Sequence, residues 1–160
     1  MKNSMYDKKR VLFLCVGNSC RSQMAEALLR KQAPNRFLVY SAGLEPSTIH
    51  PYTIRVLQEV GIDTSRLFSK PLTKYLNSPI FDFVITVCST AEERCPIFPG
   101  SGVRLHWSFD DPASFEGDTQ SKMERFREIR DQIDAKIKTW LLTLDEKTNH
   151  STQEEPLVLE

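Results

Sequence analysis

Residues 15–22 read Cys-Val-Gly-Asn-Ser-Cys-Arg-Ser and lie between the apolar run Val11-Leu12-Phe13-Leu14 and a helical pattern that begins at Gln23. This order predicts a strand, a short loop and a helix, with a cysteine ending the strand and an arginine opening the helix. Unpaired N–H groups around Gly17 and Asn18 and in the first helical turn favour negative charge. We therefore expect an oxyanion to bind in this loop, where glycine lets the backbone close around it.

Three side chains would supply the chemistry of the loop. Arg21 carries a fork of donors that can hold two oxygens of one anion, and its charge favours the thiolate of Cys15. The hydroxyl of Ser22 can donate a hydrogen bond to that thiolate. The alternative, a buried structural cysteine beside a solvated arginine, does not explain the order of the elements. We expect the anion to be bound by Val16, Gly17, Asn18, Ser19, Cys20, Arg21 and Ser22.

The composition restricts the range of functions. A chain of 160 residues can bury one core without metals or cross-links. Lys plus Arg and Asp plus Glu each total 21, so no charge excess indicates nucleic acid. The first ten residues are polar, and the longest apolar runs fall far short of the roughly 20 residues that span a membrane. We expect a cytoplasmic protein that binds neither nucleic acid nor membranes.

Predicted strands and helices alternate along the chain. Strands are predicted at 11–15, 37–41, 81–87 and 103–107, and helices at 21–32, 51–60, 89–94 and 120–142. This alternation indicates an α/β fold, a four-stranded parallel sheet with helices on both faces. An apolar stripe in the last helix should cover the sheet. We expect one catalytic domain over residues 1–144 and a flexible tail over residues 145–160.

Several reactive side chains follow predicted strands directly. Cys15 ends a predicted strand, and Cys88 and the pair Asp110-Asp111 come just past the ends of two others. Because ligands bind at the carboxyl ends of parallel strands, these residues should meet at one edge. The cysteines Cys15, Cys20, Cys88 and Cys95 could instead form structural disulfides or a zinc site. The absence of an export signal argues against the first alternative, and the long spacing between Cys88 and Cys95 against the second.

Residues 15–22 resemble the phosphate-binding loop of the low-molecular-weight protein tyrosine phosphatase superfamily, and the resemblance covers roughly residues 9–142. The superfamily contains phosphatases and arsenate reductases that use the same loop. The resemblance implies that Cys15 is the nucleophile and that Asp111, followed by Pro112, protonates the departing oxygen. Asp110 is the alternative acid. Phosphatases that act on phosphotyrosine usually carry aromatic residues after this pair, where this chain has Ala113 and Ser114.

A second pair of cysteines decides between the two branches. Cys88 at a strand end and Cys95 seven residues on resemble thioredoxin-coupled arsenate reductases, whereas typical phosphatases lack the pair. This resemblance implies that Cys15 attacks arsenate, Cys88 then attacks Cys15, and Cys95 carries the oxidation outward for thioredoxin to reduce. No metal or other cofactor is expected. The alternatives are a protein tyrosine phosphatase with a cysteinyl-phosphate intermediate and a non-catalytic oxyanion sensor.

The segment between the two cysteines is predicted to be a short helix capped by Ser89. An intact helix would hold the two cysteine Cα atoms about 10 Å apart, whereas a disulfide requires less than about 7 Å. The segment must therefore unwind before the pair can join. Some arsenate reductases of this type bind potassium beside the loop, and Asn18 and Glu26 match that pattern. A count without gaps, however, puts Phe68 and Lys70 where those proteins have oxygen ligands.

Overall fold

The computed structural model describes residues 8–77, 79–98 and 100–151. Its strands are β1 (Lys9–Cys15), β2 (Phe37–Gly43), β3 (Phe83–Thr86) and β4 (Val103–His106). Its α-helices are α1 (Arg21–Gln32), α2 (Pro51–Glu59), α3 (Ser89–Arg94) and α4 (Thr119–Ser151). Two short 3₁₀ helices span Leu72–Tyr75 and Pro112–Ser114.

The four strands form one parallel sheet in the order β2-β1-β3-β4, which confirms the predicted fold class. β1 lies between β2 and β3, and its last five residues are buried. In the register of the sheet, Cys15 lies opposite Gly43 and Leu14 lies opposite Thr86. The ends of β1 and β3 are therefore adjacent, so Cys88, two residues past β3, follows the strand next to the one that ends at Cys15.

The stripe predicted in the last helix is part of the core. Its buried members are Met123, Phe126, Ile129, Ile133, Ile137 and Trp140. The ring of Trp140 stacks on Phe37 of β2 at 5.5 Å and meets Phe83 of β3 edge-on at 5.0 Å. A second aromatic cluster contains Tyr40, Tyr75, Phe81 and Phe98. Because Tyr40 and Phe37 differ by an odd number of positions in β2, the two clusters lie on opposite faces of the sheet.

Several predicted boundaries differ from the structure by one or two residues, and the end of the last helix differs by nine. β3 is shorter than residues 81–87, although backbone hydrogen bonds continue at Asp82 and Val87. The predicted end of the last helix at residue 142 is wrong, because α4 continues to Ser151. No glycine or proline interrupts this stretch, and Asp145 forms an ion pair with Arg36 at 3.0 Å. Residues 152–160 of the predicted tail lie outside the described residues, and its flexibility stays a prediction.

α4 has 33 residues. Neither it nor another helix in the described ranges is both long and apolar enough to cross a membrane.

Candidate active site

The loop between β1 and α1 turns its carbonyl groups outward. The carbonyl oxygens of four loop residues accept hydrogen bonds from N–H groups of residues 44–50: Cys15, Val16, Gly17 and Ser19. In a planar trans peptide the following N–H points the opposite way, so the N–H groups of the next residues face the inside of the loop. The N–H of Asn18 does so and donates to Cys15 Sγ at 3.2 Å. The loop thus presents the ring of donors that an oxyanion requires.

Asn18 fixes the shape of this loop from within. It is fully buried and has the left-handed φ of 48°, so the left-handed turn lies here and not at Gly17. Its side-chain amide donates to Ser22 Oγ at 2.8 Å and Ser41 Oγ at 2.9 Å. Its Oδ1 accepts from the N–H of Lys70 and from Gln23 Nε2, both at 2.9 Å. Every polar atom of this side chain therefore bonds to the protein.

Cys15 lies at the floor of the loop and is 3 % exposed. Its Sγ is 2.8 Å from Ser22 Oγ. Because that hydroxyl oxygen already accepts a hydrogen bond from Asn18, its own proton is available to donate to the sulfur. Together with the N–H of Asn18, this gives the sulfur two hydrogen-bond donors.

Arg21 and Asp111 connect the loop after β4 to the loop of residues 15–22, which we call the anion loop. Arg21 Nη1 donates to the Phe109 carbonyl at 3.0 Å, and Arg21 Nη2 is 3.9 Å from Asp111 Oδ2. The other oxygen of Asp111 accepts from the N–H of Ala113 and caps the 3₁₀ helix at Pro112–Ser114. The alternative acid, Asp110, pairs instead with Arg125 at 2.8 Å, and its side chain is 83 % exposed. The carboxyl that faces the anion loop is therefore that of Asp111.

Cys88 and Cys95 lie at opposite ends of α3. Cys88 is 4 % exposed and is itself the N-cap of this helix, because its Sγ accepts from the N–H of Ala91 at 3.4 Å. The predicted cap at Ser89 is therefore wrong by one residue. Cys95 is the C-cap and is partly exposed, and burial raises the pKa of its thiol, while Arg104 lowers it. Both cysteines are free thiols.

Cys20 differs from Cys15 although both belong to the loop. It is the N-cap of α1, yet its side chain makes no capping hydrogen bond. Burial is the main cause that raises the pKa of its thiol to about 11. At neutral pH the side chain is therefore a protonated thiol.

The ammonium group of Lys70 lies beside Glu26, in the region that the resemblance to the family relates to potassium binding. Its Nζ donates to the Phe68 carbonyl at 2.8 Å and is 3.9 Å from Glu26 Oε2. Glu26 also accepts from Ser41 Oγ, which joins this ion pair to Asn18. Burial lowers the pKa of Lys70, and Glu26 opposes this effect. A second cation beside this ammonium would be repelled, so the residues present do not fit a potassium site.

Some supporting residues could not be predicted from the loop motif. A Cβ on Gly43, at the end of β2, would lie 2.6 Å from the Val16 carbonyl oxygen and 2.9 Å from the Asn18 nitrogen. Only glycine therefore allows β2 to approach the loop this closely. Gly17 is less constrained, because a Cβ there would approach only Ser47 and Ser19 side-chain atoms, the nearest at 3.3 Å.

An aromatic pocket of about 320 Å³ lies beside the Asp111 loop. Phe115, 39 % exposed, forms one wall and directly follows Ala113 and Ser114, the positions considered in the sequence. His50 and Tyr52 form another wall, and the N–H of His50 donates to the Ser19 carbonyl, which places this wall next to the anion loop. Burial lowers the pKa of His50, so this ring is neutral at neutral pH.

A parallel sheet that presents a cysteine and an arginine in one anion-binding loop defines a class of enzymes that act on oxyanions through a thiolate. The family model described as low molecular weight phosphotyrosine protein phosphatase matches residues 10–150. The chain belongs to this family.

Among its relatives, the chain is similar to reductases. It is 42 % identical to an arsenate reductase of Halalkalibacterium halodurans over 137 residues, which cover 86 % of this chain and 98 % of the relative. It superposes with a TM-score of 0.72 on the structure of an arsenate reductase in the phosphate-binding state, at 32 % identity, covering 84 % of this chain and 98 % of the other. For the thioredoxin-dependent arsenate reductase of Corynebacterium glutamicum the TM-score is 0.67 at 31 % identity, with coverage of 90 % and 65 %.

Proposed function

We propose that this protein reduces arsenate to arsenite through a relay of three cysteines and that thioredoxin restores its thiols. The observation that carries the proposal is the position of Cys88 and Cys95. Both are free thiols at the two ends of the short helix that follows β3, next to the strand that ends in Cys15. Phosphate ester cleavage needs neither of them. The similarity to arsenate reductases supports the same reaction.

The first step forms a bond between sulfur and arsenic. The Cys15 thiolate attacks arsenate, which the inward N–H groups and Arg21 hold, and one oxygen leaves as water after Asp111 supplies a proton. Arsenic stays in the pentavalent state in this adduct. The 3.9 Å separation of Arg21 Nη2 and Asp111 Oδ2 supports this assignment, because the carboxyl group of Asp111 lies beside the guanidinium group of Arg21.

The second step transfers two electrons to arsenic, and the third step transfers the disulfide from Cys15–Cys88 to Cys88–Cys95. The Cys88 thiolate attacks the Cys15 sulfur, and the electron pair of the sulfur–arsenic bond passes to arsenic, which leaves as arsenite. Cys95 then attacks Cys88 and releases Cys15 as a thiolate. The burial of Cys15 and Cys88 and the partial exposure of Cys95 support this direction, from the interior towards the surface.

Thioredoxin would reduce the final Cys88–Cys95 disulfide by donating two electrons from its own dithiol. The surface beside Cys95 suits a protein reductant, since a groove of about 190 Å³ opens there and Ile97 on its rim is 88 % exposed. Similarity to a thioredoxin-dependent reductase supports this choice of partner. A thioredoxin-coupled relay operates in a reducing compartment, and we accordingly propose the cytoplasm.

A phosphatase activity is the second candidate function. The anion loop and Asp111 satisfy its chemical needs, and the aromatic pocket with Phe115, His50 and Tyr52 could hold the ring of an aryl phosphate. In that reaction Cys15 would form a cysteinyl-phosphate, and Cys88 and Cys95 would take no part.

One pair of assays separates the two functions. Arsenate with thioredoxin, thioredoxin reductase and NADPH should give arsenate-dependent NADPH oxidation, and an aryl phosphate should be cleaved slowly in the absence of any reductant. Fast aryl phosphate turnover without arsenate-dependent NADPH oxidation would favour the phosphatase. Arsenate binding without either turnover would indicate an oxyanion sensor.

A further inference from the structure

A polar network joins α3 to the ends of the two strands beneath it. The carboxylate of Glu92, in the middle of α3, accepts from Thr86 Oγ1 at 2.5 Å and lies 3.4 Å from Arg104 Nη2. The same guanidinium nitrogen donates to the Glu92 backbone carbonyl at 2.8 Å. His106 Nδ1 is 2.8 Å from Thr86 Oγ1 and 3.9 Å from Glu92 Oε2. Glu92 is thus held by its side chain and its backbone at once.

The protons in this network have one consistent arrangement. The hydrogen bond from Thr86 is the main cause that holds the pKa of Glu92 below its ordinary value, so the carboxylate is ionised and can only accept. The hydroxyl proton of Thr86 therefore points to Glu92. His106 must then donate its Nδ1–H to the Thr86 oxygen, and the chain of donors runs from β4 through β3 into α3.

These contacts belong to only one redox state of the cysteine pair. Glu92 lies between Cys88 and Cys95, and an intact six-residue helix keeps these cysteines too far apart to bond. Formation of their disulfide must unwind α3 and move Glu92 away from Thr86 and Arg104. The network therefore stabilises the dithiol form and is lost in the disulfide form.

We propose that Glu92 is a positioning residue that holds α3 helical and thereby shifts the Cys88–Cys95 couple towards the dithiol. The proposal rests on the cysteine relay proposed above. Its consequence for the reaction is that the network makes the final disulfide easier for a reductant to open. It also delays the collapse of the helix until Cys88 has been oxidised.

The test compares Glu92→Gln with Glu93→Gln in the full chain. Glu93 is the neighbouring residue of the same helix, its side chain is exposed, and its substitution removes the same charge. The parent chain and every variant compared with it carry Cys15→Ser, so that no Cys15–Cys88 bridge competes. Each protein is equilibrated with reduced and oxidised dithiothreitol in a series of ratios, without arsenate. Alkylation and peptide mass spectrometry then measure the fraction with a Cys88–Cys95 disulfide.

We expect Glu92→Gln to favour the disulfide about fivefold, which corresponds to a potential about 20 mV more negative, whereas Glu93→Gln should match the parent. Thr86→Val should shift the equilibrium in the same direction, and it leaves the sequence of α3 native, so intrinsic helix propensity cannot explain its effect. Amide exchange should be faster in α3 of both Glu92→Gln and Thr86→Val and unchanged in β1.

Equal potentials for Glu92→Gln and Glu93→Gln, or a native potential for Thr86→Val, would overturn the role of Glu92 while leaving the relay intact. If no variant forms a Cys88–Cys95 disulfide even at the most oxidising ratio, the relay fails and the role of Glu92 fails with it.

Discussion

Arg21 and Asp111 form a partly buried pair in which the guanidinium Nη2 lies 3.9 Å from the carboxylate Oδ2. The side chain of Arg21 is only 15 % exposed, and its second nitrogen donates to the Phe109 carbonyl. One side chain therefore joins the loop proposed to bind the anion to the loop that carries the proposed acid. Because Asp111 contacts Arg21 and the adjacent Asp110 does not, separate substitutions of these two aspartates test which of them is the acid.

Asp111→Asn should lower kcat for arsenate reduction by about 10²-fold, because the amide keeps the shape of the side chain but has no proton to give the leaving oxygen. Asp110→Asn is the matched control and should stay within about twofold, since Asp110 contacts Arg125 on the surface and exposed pairs contribute little. The measurement is steady-state turnover with thioredoxin. The reverse ranking of the two variants would transfer the role of the acid to Asp110.

Cys15→Ser should abolish arsenate reduction and aryl phosphate cleavage together, because an alcohol of high pKa cannot replace the thiolate. The variant should still bind arsenate in calorimetry, since the inward N–H groups and Arg21 are unchanged. Turnover of either substrate by a folded Cys15→Ser protein would place the nucleophile elsewhere.

Cys95→Ser should separate arsenite release from recycling. One equivalent of arsenite should be released and Cys15 should be found bridged to Cys88 by peptide mass spectrometry, but repeated turnover with thioredoxin should stop. Cys88→Ser is the comparison and should release no arsenite, because no thiol then attacks the Cys15 adduct. Normal steady-state turnover of Cys95→Ser would remove Cys95 from the mechanism.

Cys20 should react slowly with iodoacetamide, and its rate should depend steeply on pH. With a pKa of about 11, only about one molecule in 1,000 carries the thiolate at pH 8, and the fraction rises about tenfold per pH unit up to pH 10. The unfolded thiol ionises at lower pH, so native stability should fall as pH rises above 9. Peptide mass spectrometry measures the labelling, and a plateau below pH 9 would contradict the burial argument.

Replacing KCl by NaCl at constant ionic strength should leave KM and the thermal midpoint of the native chain unchanged, because the ammonium group of Lys70 already lies beside Glu26. Lys70→Asp should introduce a potassium dependence, or lower stability without potassium, by leaving carboxylates unpaired near the loop. Lys74→Asp, a change of the same charge at an exposed position, should do neither. Specific potassium stabilisation of the native chain would contradict this assignment.

The parts of the site that local sequence predicts are those in which neighbours in the chain are neighbours in space. The order of strand, cysteine, loop, arginine and helix is of this kind, and so is the alternation that predicts the sheet. Gly43 and Lys70 contact the loop through the register of β2 and through a long connection, which no local pattern records. The role of Gly43 therefore becomes visible only in the folded chain, whereas the position of Lys70 near the loop is predicted by the resemblance to the family.

Errors at the ends of elements have similar physical reasons. The cap of α3 is Cys88 and not Ser89, because a thiol can accept from a free N–H although cysteine is an uncommon cap. α4 passes its predicted end because a loss of apolar periodicity ends the packing stripe but not the helical backbone. The sequence does not predict the aromatic wall at Phe115, because only the 3₁₀ turn at Pro112–Ser114 brings this residue to the pocket.

The hydrogen bonds that the Asn18 side chain makes within the protein have a consequence for ligand affinity. Since every polar atom of its side chain already has a partner, the loop adopts its ligand-ready shape when the chain folds, and little conformational entropy is lost when the oxyanion arrives. Binding to such a rigid loop selects an anion by its size and charge. Oxyanions of similar radius and charge should therefore bind with similar affinity. Discrimination between arsenate and phosphate then depends on the chemical steps that follow binding.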